Sequence, residues 1–219
     1  MTLLLSLIHP QAIIMAADSR LTTTLTPADP VTLEKMGDTR IEYQKTNKLF
    51  EVTGVGCVTM WGDLTRVGLK VGQFLQSTRP ADVDDLAEKL LTYLKEQIDQ
   101  SSNEDIGFHI GGYRSDGKQV LFHVFYGRDV GPGVDPKNNP YKFEKYDHSD
   151  FLALYNGVHE IADIFIDFLL SLEREVGMVK WITQHPLEKA INFADFILRY
   201  ATKLDQTIGD DIKIAVISS

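Results

Sequence analysis

Residues 1–17 constrain this chain more than any other stretch. Two apolar runs, residues 2–8 and 12–17, are separated by His9-Pro10-Gln11. Neither run is long enough to cross a membrane, and no Lys or Arg precedes them, so the segment makes a poor signal peptide even though Ala16-Ala17 would suit a signal peptidase. Short apolar runs around a proline-containing turn predict a hairpin buried on at least one face. The chain is therefore expected to begin inside a sheet.

The rest of the sequence alternates between strand and helix periods. Residues 21–45 are rich in Thr, Pro and Asp without a sustained period and read as irregular strand and loop. Strands are predicted at 48–52 and 56–61. Leu64, Val67, Gly68, Val71, Phe74 and Leu75 then recur at helical spacing, and Val83, Leu86, Leu90, Leu94 and Ile98 form a second stripe behind Pro80 and an acidic first turn. Strands at 106–111 and 119–126 flank the turn Ser115-Asp116-Gly117, and 127–140 reads as a surface loop. Two more helical stripes, at 161–172 and 187–204, and an alternating strand at 212–217 complete the order. This predicts a single α+β domain, residues 1–219, with antiparallel sheets carrying paired helices on their outer faces.

Composition narrows the function. With 22 Lys and Arg against 31 Asp and Glu the net charge is -9, and the basic residues are scattered, which argues against nucleic acid or an anionic membrane as partner. The single cysteine, Cys57, excludes an intrachain disulfide and fits a cytoplasmic protein. No nucleophile elbow, phosphate loop or paired metal ligands are present, and His9 and His185 each precede a proline, where a structural role fits. No cofactor is expected.

What stands out is Thr2. Removal of Met1 would leave a free threonine amine at the head of a buried strand. Such an amine, with a reference pKa of about 7.7–8.0, can take the proton of its own hydroxyl. A lysine nearby lowers that pKa further, and a carboxylate holds the lysine charged and in place.

Thr2, the hairpin, Ala16-Ala17-Asp18-Ser19-Arg20, Asn47-Lys48-Leu49-Phe50 and Gly62 at a strand end resemble the catalytic β-type subunits of the proteasome and their bacterial relatives, which are N-terminal-nucleophile (Ntn) hydrolases. The Ala-Ala-Asp-Ser-Arg string is the most specific element. The resemblance implies a four-layer αββα sandwich, with two antiparallel sheets between helix pairs. It implies Thr2 as nucleophile and base, Asp18 as the carboxylate orienting Lys48, Lys48 as the cation, Gly62 as oxyanion donor, and Asp205 as the aspartate closing the site. Met60, Leu21 and Thr46 would line the pocket for the side chain before the cut. It further implies a peptide or unfolded-protein substrate, self-assembly into rings and an ATP-dependent unfoldase partner. Two positions depart from the pattern: Ile208 and Asn156 stand where active members place serines.

Singly, these residues have plainer readings. Asp18 and Arg20 suit a turn salt bridge, Lys48 a strand edge, and Gly62 a turn; their joint order carries the catalytic reading. The alternatives are a non-catalytic subunit of the same fold, or an Ntn amidohydrolase or peptide transferase acting on a small amide.

Overall fold

The structure is a computed structural model; it describes residues 2–25, 32, 40–62, 67–97, 106–126, 141–146, 152–157, 186–205 and 207–218. Strands β1 (Leu3–His9) and β2 (Ala12–Asp18) form the expected opening hairpin, β1 shifted one residue along its apolar run and β2 one residue longer than its run. At its turn His9 Nδ1 accepts the Gln11 N–H at 3.2 Å, a structural role for this histidine. β3 (Arg20–Leu25) and β4 (Arg40–Lys45) pair with each other. They are followed by β5 (Leu49–Val52), β6 (Gly56–Gly62), β7 (Ile106–Tyr113), β8 (Gln119–Tyr126), β9 (Tyr141–Tyr146), β10 (Leu152–Gly157) and β11 (Ile212–Ile217).

Among the described residues every strand pairing is antiparallel. β10-β1-β2-β11 make a four-stranded sheet, β5-β6-β7-β8-β9 a five-stranded one, and β3-β4 stand as a two-stranded ribbon. Three helices are described: α1 (Gly68–Ser77), α2 (Val83–Gln97) and α3 (Leu187–Leu204). None of them is long and apolar enough to cross a membrane.

Strand alternation sorts the core into three apolar clusters. Leu3, Leu5 and Leu7 of β1, with Ile14 and Ala16 of β2, meet Ala194, Ile197, Leu198 and Ala201 of α3. The other face of the same hairpin, Leu4, Ile8, Ile13, Met15 and Ala17, meets Leu49, Cys57 and Leu121 of the five-stranded sheet. That sheet's far face, through Val58, Met60, Phe108, Ile110 and Phe122, is covered by Val71 and Leu75 of α1 and by Leu86, Leu90 and Leu94 of α2. Between the sheets Ser6 Oγ lies 2.9 Å from His109 Nδ1, so these buried polar groups are partnered.

The sequence reading and the structure part company at three strands or pairs of strands. Residues 20–25 and 40–45 form a paired ribbon, where irregular strand and loop were expected over 21–45. Their threonines favour extended backbone, but apolar alternation, the signal that marks a core strand, is weak there. β9 and β10 were not predicted. β9 does carry a readable signal, Tyr141 and Phe143 alternating with Lys142 and Glu144, whereas β10 ends on an Asn-Gly pair that reads as a turn. The loop expected at 127–140, the helix expected at 161–172, Leu64, Ile98 and His185 lie outside the described residues.

Cys57 offers a probe of the sheet-to-sheet interface. It is fully buried, and burial pushes its thiol up to about 12 from 9.0. The shift alone suppresses thiolate about a thousandfold. An aromatic disulfide reagent at pH 8 is therefore expected to label Cys57 only as fast as the protein unfolds; labelling of the folded chain at the rate of free cysteine would contradict this packing.

Candidate active site

Thr2 immediately precedes β1 and is 7% exposed, and Asp18 ends β2 on the neighbouring strand. Lys48 immediately precedes β5. Its segment is clamped on both sides, because the Thr46 N–H donates to Ser19 O at 2.7 Å and the Met60 N–H donates to Lys48 O at 2.9 Å. Backbone bonds thus fix the lysine between the end of β2 and β6.

The Lys48 side chain reaches into the space between the strand ends. Its Nζ donates to Thr2 Oγ1 at 2.9 Å and to Asp18 Oδ1 and Oδ2, each at 2.9 Å. Both charged side chains are completely inaccessible to solvent. The carboxylate also accepts three backbone N–H groups: Leu3 on Oδ1, and Arg20 and Gly209 on Oδ2, each at 3.0 Å. A buried ion pair survives only when such bonds satisfy its remaining lone pairs. Burial lowers the Lys48 pKa below the ordinary lysine value, with Asp18 opposing the shift and Arg20 adding to it. The Arg20 guanidinium itself lies 3.7 Å from Asp210. A buried ammonium in hydrogen-bond reach of a threonine hydroxyl can stabilise negative charge developing on that oxygen.

The remaining sequence candidates fall in two places. Gly62 closes β6 two residues beyond Met60, opposite Ile106, with φ at +98°, a conformation only glycine adopts without strain. Leu21, Thr46 and Met60 all line one pocket of about 480 Å³, with Phe50, Gly68 and Gly72 among its walls. Asp205 follows α3; its Oδ1 accepts the N–H and hydroxyl of Thr207 at 2.7 and 2.6 Å, and it makes no hydrogen bond to Thr2, Asp18 or Lys48. Ile208 is 1% exposed within the apolar cluster under α3. Asn156 lies opposite Leu4 in the β1–β10 register.

Sequence reasoning missed Gly209, whose N–H reaches Asp18 across 191 positions, and Phe50, Gly68 and Gly72 as pocket walls. The pair Gly68 and Gly72 did carry a signal. Glycine costs a helix about 1 kcal/mol relative to alanine, and at Gly72 a Cβ would meet the Phe50 ring at 3.1 Å. Among the described residues no three His, Cys, Asp or Glu side chains converge as metal ligands would.

No protein-family model and no curated protein matches the chain. Among solved structures it is similar to Anbu (ancestral beta-subunit) from Yersinia bercovieri, with a TM-score of 0.60 and 17% identity over 98% of this chain and 80% of that one. Eukaryotic HslV from Trypanosoma brucei aligns over 99% of both chains at 12% identity, but its TM-score of 0.45 is too low to bear on the fold. The resemblance first carried by Thr2, Asp18 and Lys48 holds at the level of architecture: this chain has the fold of the proteasome-type Ntn hydrolases.

Proposed function

We propose that the chain is the catalytic subunit of a proteasome-like threonine peptidase, with Thr2 as N-terminal nucleophile once Met1 is removed. The observation that carries this reading is the buried Lys48 ammonium, bonded at 2.9 Å to both the Thr2 hydroxyl and the Asp18 carboxylate. Thr2 Oγ attacks the peptide carbonyl as its proton passes to the neighbouring base, the Thr2 amine assisted by Lys48. The Gly62 N–H stabilises the oxyanion. The C–N bond then breaks with that proton on the leaving amine, and water hydrolyses the ester with the same base. Asp205 acts at one remove, through the turn that follows it.

The pocket at Leu21, Thr46 and Met60 takes the side chain before the scissile bond. Among the described residues its lining includes no charged side chain, which supports preference for an apolar residue there. The three clusters support a four-layer αββα sandwich in a single domain. On this reading the chain assembles into rings, acts in the cytoplasm and receives unfolded protein from an ATP-driven unfoldase.

A peptide-library digest tests the activity. Cleavage after large apolar residues is expected; cleavage only of small amides would favour an amidohydrolase. One observation favours a non-catalytic subunit instead, namely Ile208 in place of a hydroxyl-bearing residue. In that case no library peptide is cut by chains whose Met1 has been removed.

A further inference from the structure

The departure at Ile208 lies one residue before Gly209, whose N–H donates to the Asp18 carboxylate. The turn after α3 is built tightly: Asp205 N–H donates to Ala201 O at 2.9 Å, Ile208 N–H to Asp205 O at 3.1 Å, and Thr207 is bonded to the Asp205 carboxylate. The Ile208 side chain then plunges into the cluster formed by Leu3 and Leu5 of β1, Ala16 of β2, and Leu198 and Ala201 of α3. These are the two strands that end at Thr2 and Asp18. The next residue, Gly209, donates its N–H to Asp18 Oδ2 at 3.0 Å. Its approach is so close that a Cβ would stand 2.8 Å from Arg20 N and 3.2 Å from Ser19 N.

We infer that Ile208 is a positioning residue of the site: its buried side chain anchors the turn to β1 and β2, so that the Gly209 N–H fixes the Asp18 carboxylate and, through it, Lys48 against Thr2. Where the resemblance implies a serine, apolar packing holds the turn and the next residue supplies a backbone donor. The inference rests on the peptidase reading. A serine at this position would bury a hydroxyl among leucines and alanines and release the anchor. Small misplacements of a reacting constellation are expensive, about a hundredfold in rate for 1 Å.

The test is steady-state hydrolysis of a fluorogenic peptide amide with leucine before the scissile bond, by the full chain with Met1 removed. Ile208→Ser is expected to lower kcat at least about tenfold with KM within about twofold, because Ile208 does not line the substrate pocket. Ile208→Val, which keeps the apolar anchor, is expected to restore kcat to within about threefold of the parent. An unchanged kcat in Ile208→Ser overturns the inference while leaving the peptidase reading intact, and so does a loss shared equally by kcat and KM. No turnover by the parent chain overturns the peptidase reading itself. Should the serine variant not fold, Ile208→Ala takes its place, with the same kcat loss expected and an unchanged kcat again contradicting the anchor.

Discussion

Lys48→Met is expected to destabilise the fold by about 3 kcal/mol and to leave peptide hydrolysis undetectable. The side chain has similar length, so packing is largely kept and what disappears is the charge. Asp18 would then be a carboxylate wholly inaccessible to solvent, held only by the N–H groups of Leu3, Arg20 and Gly209. Those three bonds place the estimate at the low end of the 3–5 kcal/mol expected for breaking a buried pair. Adding Asp18→Asn removes the stranded charge, so the double variant is expected to regain part of the stability and none of the activity. Urea denaturation with unchanged m-value reads the first effect; a loss under about 1 kcal/mol would mean that the pair is not desolvated.

The pH dependence of this group has a definite sign. Burial lowers the Lys48 pKa in the fold relative to the ordinary 10.5. Folding therefore favours proton release from Lys48 between the lowered value and 10.5, and the stability owed to this group rises with pH across that window. Below the lowered value the charged lysine is retained in both states and contributes no slope.

Thr2→Ala is the second large effect. It deletes the proposed nucleophile, so a fall in kcat/KM on the order of 10⁴ or more is expected. Stability should change by only about 1 kcal/mol, since Lys48 Nζ loses one acceptor and keeps both oxygens of Asp18. The contrast with Lys48→Met is diagnostic: one variant is inactive and stable, the other inactive and weakened. Retained hydrolysis in Thr2→Ala would move the chemistry elsewhere.

How much of this was legible in the sequence follows from how local each signal is. The opening hairpin was, because two continuous apolar runs and the Pro10 turn lie within adjacent residues. Asp18 and Lys48 stood out through the short strings around them, while Leu21, Thr46 and Met60, which line one pocket in the fold, were named only through the resemblance. The ribbon of β3 and β4 was not, because Thr22, Thr23 and Thr24 mark extended backbone without marking a partner. β10 was not, since its pairing with β1 joins Leu3 to Gly157 across most of the chain. The Gly209 donor was hidden for the same reason: a backbone N–H leaves no trace in side-chain pattern, and only its close approach to Ser19 and Arg20 requires glycine. Ile208 looked like a missing hydroxyl, whereas in the fold it is a buried side chain of the cluster beneath the site.

The central claim is that Thr2, freed of Met1, is the nucleophile. Intact-mass measurement of the native chain before and after treatment with a β-lactone, which acylates an N-terminal threonine hydroxyl and retains all its atoms in the adduct, tests it most directly. The expected result is a chain lighter by one methionine residue that gains a single lactone adduct, with no adduct in Thr2→Ala. A native chain that keeps Met1 and takes up no lactone, or an adduct that persists in Thr2→Ala, would contradict it.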